Sequence, residues 1–226
     1  MINKKNFDIF LTIYLNLNIF FVSIFINIIG LKYFSFVLFI LSFINIIIII
    51  FSRYFNFNNF RKIYLIIIFM AIFSLISVIF SYDKSVALFG TKIRGEGFFQ
   101  IMYYYSIFAL SSFVDKKHIK SILFAFIFCC VLQSINVFYD TSQTLLKSSI
   151  LLKAHGFSSH NNFLGTYMLM GTLIIYSIIL YEENISKKQF LLWILLYLII
   201  LYGFFRTQCF SCFLSFSVFQ FFRLID

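Results

Sequence analysis

The sequence predicts an all-α protein: a polytopic transmembrane helix bundle of seven to eight spans, N-terminus cytoplasmic, forming a single transmembrane domain over residues 1–226. Three observations predict it. The chain is 62% hydrophobic and only 12% charged, against about 45–50% and about 25% in ordinary globular domains. Its apolar residues fall in blocks of roughly twenty, the length a helix needs to cross a hydrocarbon core of about 30 Å. Alternating barrel-strand patterning is absent, and backbone in lipid must satisfy its own polar groups, which leaves helices as the expected form.

The N-terminus MINKKNFD leads into an apolar run over Ile9–Ile29. This run exceeds the ~7–15 apolar residues of a signal peptide and no small-residue cleavage site follows, so it reads as the first span. Further spans follow at Tyr33–Ser52, Ile63–Ser81, Phe98–Val114, Ser121–Tyr139, Asn162–Tyr181 and Phe190–Phe205. An eighth apolar run, Thr207–Phe222, is separated from the seventh by Arg206 and its neighbours, and the two form a bent hairpin. With the N-terminus inside, eleven Lys and Arg fall on that side and seven on the other, which is the sense of the positive-inside bias. The longer loops, Tyr82–Gly97 and Asp140–Asn161, then face outside.

The formal charge of +10 is carried by loops beside spans, where topology and anionic headgroups account for it. The expected surroundings are therefore a lipid bilayer, with no nucleic-acid partner. The abundance of Phe, Ile, Asn, Lys and Tyr fits coding DNA of high A+T content, so the aromatic excess is not read as a ligand surface. FNFNNF at Phe55–Phe60 reads as a low-complexity loop, and Pro is absent altogether.

Two external loops are the places for chemistry. In the first, Gly90, Gly95 and Gly97 bracket Arg94 and Glu96 just before the fourth span. Glycine permits backbone bends closed to other residues, so the loop is shaped, and Arg94 offers a planar fork suited to phosphate or carboxylate. The plainer reading of the same residues is an interfacial Arg94 paired with Glu96, anchoring a helix end. The second loop ends HGFSSHNNFLGTY, His155–Tyr167. Leu145–Leu152 before it, with Lys147 and Lys153, reads as a short amphipathic element on the membrane surface. His155 and His160 are five apart, off the i, i+4 spacing of a helical metal pair, and no carboxylate joins them, so no metal site is expected. Asn161 and Asn162 suit capping of the next helix, and Gly165 and Gly171 suit its close packing on neighbours.

Within the spans, Asn16, Asn18, Asn27, Asn45, Gln133 and Asn136 are polar. Each reads first as an interhelical hydrogen bond. Beyond Asp8, near one end, no ladder of intramembrane charge appears, which counts against a proton-coupled carrier. Cys129, Cys130, Cys209 and Cys212 lie in apolar runs and read as small buried hydrophobes. Cys209 and Cys212 have redox or zinc spacing but lack a second ligand pair.

Together, ALFGTKIRGEGFFQ (Ala87–Gln100) and HGFSSHNNFLGTYM (His155–Met168) resemble two landmarks of the O-antigen ligase and polysaccharide-polymerase membrane family. In the first, a Gly, an Arg and a Glu-Gly pair precede a helix. In the second, Gly156, His160, Asn162, Phe163 and Gly165 fit a pattern of Gly, then His or Asn, Pro, Asn and an aromatic, entering a span rich in small residues. Asn161 stands where that family usually has Pro. At its next landmark, a Thr, Arg and Ser, this chain has TQCFSCFL (Thr207–Leu214), with Phe210 in the place of Arg and Arg206 out of register. Family members continue through several more spans and a large external loop, so the resemblance implies a truncated N-terminal portion.

The resemblance implies a multi-pass protein of the cytoplasmic (inner) membrane. It would be a glycosyltransferase moving a glycan from a polyprenyl diphosphate carrier to a sugar or lipid acceptor at the outer face. Arg94, His160 and Asn162 are the substrate-binding residues it implies. It implies no cofactor, names no catalytic residue and leaves ligase and polymerase undistinguished. A non-catalytic remnant, or an accessory partner of other polysaccharide-export membrane proteins, remains the alternative, and a small-molecule transporter stands below both.

Overall fold

The structure is a computed structural model that describes residues 4–29, 31–51, 57–90, 97–147, 161–182 and 185–225. The described residues form helices α1 (Lys4–Ile29), α2 (Leu31–Phe51), α3 (Phe57–Phe80), α4 (Lys84–Phe89), α5 (Phe98–Ser111), α6 (Lys116–Lys147), α7 (Asn161–Tyr181), α8 (Lys187–Arg206) and α9 (Phe210–Ile225), with no strand among them. By length and composition α1, α2, α6, α7 and α8 are apolar enough to cross a membrane, while α3 and α9 carry shorter apolar stretches at Tyr64–Phe80 and Phe210–Phe221. The protein is thus an all-helical membrane protein with five candidate spans. The 14-residue α5 measures about 21 Å at 1.5 Å per residue, short of the hydrocarbon core.

Three helix ends show why the elements begin and stop where they do. Asp83 accepts a hydrogen bond from the Val86 N–H (3.1 Å) and so opens α4. Gly90 closes it in the left-handed region at φ 84°, a conformation that favours glycine. Ser186 and Gln189 make a reciprocal capping box at the start of α8, satisfying two N–H groups that the helix leaves unpaired. At the other end of α8, Gln208 takes a positive φ of 50°, turning the chain into α9 at a cost of about 1–2 kcal/mol for a residue with a Cβ.

The chain divides into two compact units, each described here by itself: Met1–Leu17 with Ile28–Lys120, and Asn18–Asn27 with Ser121–Asp226. In the first, α5 is the hub on which α2, α3 and α4 pack, around buried Phe34, Leu38, Tyr103 and Leu110. Buried Asn45 ties three helices together. It accepts from the Tyr14 hydroxyl at 2.7 Å and donates to Ser106 Oγ at 2.9 Å. Asp8 and Asp115 both meet the ammonium of Lys117, at 3.8 and 3.2 Å. From Leu65 to Phe80, α3 exposes apolar side chains around most of its circumference, as a helix facing lipid does.

In the second unit α7 packs along α8 and against α9. Its core holds Ile127, Cys130, Val137, Leu164, Met168, Ile175, Ile200 and Phe204. Gly171 and Gly203 permit this closeness: a Cβ at Gly171 would meet Cys130 Sγ at 2.6 Å, and one at Gly203 would meet Ser134 Oγ at 2.5 Å. Gln133 donates to the Ser23 carbonyl at 2.5 Å, and the Ser23 hydroxyl pairs with that of Tyr167 at 2.7 Å.

Several elements depart from the sequence expectation. Phe57–Phe60, expected in a loop, begin α3. Helix α4 lies in what read as loop, and α5 stops at Ser111, short of Val114. Helix α6 runs on to Lys147, because Thr141 and Ser142 return their hydroxyls to the Val137 and Tyr139 carbonyls and so do not compete with the helix. The expected amphipathic element therefore starts as the end of α6, and its remainder, 148–152, lies outside the described residues.

Candidate functional site

Each unit contains one helix end that borders a stretch singled out in the sequence. In the first unit this is the corner between α4 and α5. A Cβ at Gly97 would overlap the Gly90 nitrogen and the Leu88 carbonyl, so the backbones on either side of segment 91–96 are in contact. Next to Gly97, Phe99 stacks on Phe39 with centroids 4.2 Å apart and meets Phe89 edge-on at 5.1 Å. The Ser35 hydroxyl donates to the Phe89 carbonyl at 3.4 Å.

Gly97 is also the N-cap of α5, in an ordinary extended conformation and with no side chain to cap it. Its carbonyl accepts from the Gln100 and Ile101 N–H groups. Gln100 is buried one turn in and donates to the Tyr104 hydroxyl at 2.6 Å. Arg94 and Glu96 belong to segment 91–96, which lies outside the described residues.

In the second unit the corresponding place is the start of α7 beside the turn from α8 to α9. A Cβ at Gly165 would meet Cys209 Cβ at 2.7 Å and Thr207 Oγ1 at 3.1 Å. Helix α7 begins at Asn161, so Asn162 is a first-turn residue with an exposed side chain. The position before the helix falls to His160, which with His155 lies outside the described residues. Of Arg94, His160 and Asn162, only Asn162 is placed, and its carbonyl accepts from Thr166 Oγ1 at 3.0 Å.

The turn holds one arrangement that sequence reasoning missed. Arg206, in the last turn of α8, donates through Nε to Thr141 Oγ1 at 3.2 Å. Its Nη2 is buried and makes no hydrogen bond among the described residues. The available signal was a lone Arg between two apolar runs. Its partner on α6 was hidden because Thr141 read as loop.

No cluster of three or more His, Cys, Asp or Glu able to hold a metal occurs among the described residues. All four cysteines are free and buried. No family model, no curated protein and no solved structure matches the chain.

Proposed function

We propose that this protein is a glycan transferase of the O-antigen ligase and polymerase type, acting on a polyprenyl diphosphate-linked glycan at the outer face of the cytoplasmic membrane. In this reading the helices make seven to eight spans with the N-terminus inside. That adds α3 and α9 to the five long apolar helices and counts the short α5 as a crossing made where the bilayer thins around it, and both landmark loops then lie outside.

The observation that supports the reading is the backbone contact of Gly97 with Gly90 and Leu88, the described residues that flank Arg94 in the sequence. In this reading that contact brings the two ends of the Arg94 stretch together, and ordering already present lowers what ligand binding must add. Arg94 is suited to a diphosphate because its fork pairs with two oxygens at once. As the glycan leaves its carrier, the bond from the anomeric carbon to the diphosphate oxygen breaks and a bond to the acceptor oxygen forms. Negative charge grows on the departing diphosphate, where a fixed positive group gives most. The acceptor hydroxyl gives up its proton to a base. His160 and Asn162 serve in positioning.

Complementation tests the proposal. The 226-residue chain and its Arg94→Ala variant are expressed in hosts lacking their own ligase or polymerase, several acceptor types being represented, and polymer is read on a glycan gel. Restoration by the native chain and its loss in Arg94→Ala is the expected result. Absence of polymer in every host, with the protein shown in the membrane, overturns it in favour of a non-catalytic accessory protein.

A further inference from the structure

Cys209 and Cys212 are a motif that glycan transfer leaves unused. Cys209 sits immediately before α9 and Cys212 one turn into it, the N-cap and N3 positions of a 16-residue helix. Side chains at these two positions face each other, as they do in a capping box. Their Sγ atoms are 3.1 Å apart, so about 1 Å of approach closes a bond of disulfide length.

Their surroundings are polar for an apolar helix. Cys209 Sγ lies 3.3 Å from Ser211 Oγ, Cys212 Sγ lies 3.6 Å from Thr166 Oγ1, and the Cys209 N–H donates to Thr207 Oγ1 at 3.3 Å. These hydroxyls and the start of α9 surround the two sulfurs. The other two cysteines differ. Cys129 and Cys130 are consecutive in the middle of α6, where neighbouring side chains point apart, and Cys130 Sγ is directed to the Tyr167 carbonyl at 3.8 Å.

We propose that Cys209 and Cys212 are a thiol–disulfide exchange pair whose co-reactant is a low-molecular-weight disulfide. Smallness follows from burial, since Cys209 is 2% and Cys212 5% exposed. The thiolate of Cys209 attacks one sulfur of the co-reactant. That S–S bond breaks, and the departing sulfur takes up a proton. Cys212 then gives up its proton and attacks Cys209 Sγ, breaking the mixed disulfide and releasing the second co-reactant thiol. Two cysteine thiols are oxidised to one disulfide, one disulfide is reduced to two thiols, and two protons pass from the first pair to the second. The bridge fixes the N-terminal turn of α9 beside Gly165 and next to the strained Gln208.

Membranes containing the full chain are incubated with hydroxyethyl disulfide, quenched in acid, denatured, alkylated and analysed by peptide mass spectrometry. The expected result is loss of two of the four alkylatable cysteines, a bridge mapped to Cys209 and Cys212, and full recovery with dithiothreitol. Cys212→Ser traps the mixed disulfide on Cys209, while Cys209→Ser stays unmodified. The Cys129→Ser/Cys130→Ser variant still loses both remaining thiols, which keeps the test independent of whether the single variants fold. Retention of all four thiols in the native chain overturns the proposal, as does a bridge mapped to Cys129 and Cys130.

Discussion

Replacing Gly97 with serine isolates the contact of Gly97 with the backbone of Gly90 and Leu88. Its φ of −102° and ψ of 179° are extended backbone open to any residue, so no conformational strain enters. At an open N-cap the change would be neutral or favourable by a few tenths of a kcal/mol, since serine caps a helix at least as well as glycine. Here the new Cβ overlaps the Gly90 nitrogen and the Leu88 carbonyl carbon and oxygen, all of them backbone, so nothing can swing aside. Forced insertion into a packed site costs about 1–3 kcal/mol, which reverses the sign. For a chain of this length that is a fall of roughly 3–10 °C in unfolding temperature.

Thermal unfolding of the detergent-solubilised protein measures it. Gly171→Ala is the control. There the Cβ meets Cys130 Sγ at 2.6 Å, which can rotate, and Cys130 Cβ at 3.2 Å, which must give slightly, while alanine gains up to about 1 kcal/mol of helix propensity over glycine, so that variant loses less than Gly97→Ser. A Gly97→Ser protein that unfolds at or above the native temperature would refute the tight Gly97–Gly90 contact and remove the support it lends to the proposed role of Arg94.

Two further outcomes follow from the first unit. Asn45→Leu loses both interhelical bonds, to Tyr14 and Ser106, and is less stable by about 1–2 kcal/mol, with a coupling to Ser106→Ala near 0.6 kcal/mol, typical of bonds between membrane helices; a double-mutant cycle in detergent checks it. Asp115, exposed between α5 and α6, has its carboxyl held below the usual range chiefly by its hydrogen bond from Lys117. A depressed folded-state value contributes stability that is full above the ordinary aspartate range and is lost as pH falls through the lowered value. Unfolding temperature followed from neutral to acid pH should therefore show a loss component that Lys117→Gln abolishes, and carbonyl NMR of labelled aspartate should show the Asp115 titration moving up in that variant.

The positions of the helices were legible because membrane length and apolar blocks are local properties. Each of the eight apolar runs read from the sequence contains a helix. The polar residues within them were legible too: Asn45 and Gln133 do bond between helices, and Gly165 and Gly171 do sit where a Cβ would collide. What was not legible depends on partners distant in sequence. The role of Gly97 needs the backbone of Gly90 beside it, and the partner of Arg206 needs Thr141 of α6 beside α8. Composition makes Asp140–Thr144 look like loop; hydroxyls that bond back to their own helix make it helix. The candidate site was legible only as two landmarks in sequence.

The absence of proline connects these observations. Membrane helices commonly use proline to bend or stop, and this chain has none. Its breaks are made by other means: an aspartate cap and a left-handed glycine around α4, a serine–glutamine box before α8, and a left-handed glutamine before α9. Two of these breaks adjoin the two landmark ends. Gly90 begins the segment that carries Arg94, and Gln208 stands between Arg206 and the Cys209–Cys212 pair. Left-handed backbone costs glutamine more than glycine, so the α8–α9 turn is held by its surroundings: Thr207 bonded to Phe204 and Cys209, and Cys209 seated against Gly165. A turn so dependent on one seated side chain is where a change of bonding at Cys209 would be felt most, and it lies against the first turns of the helix that follows His160.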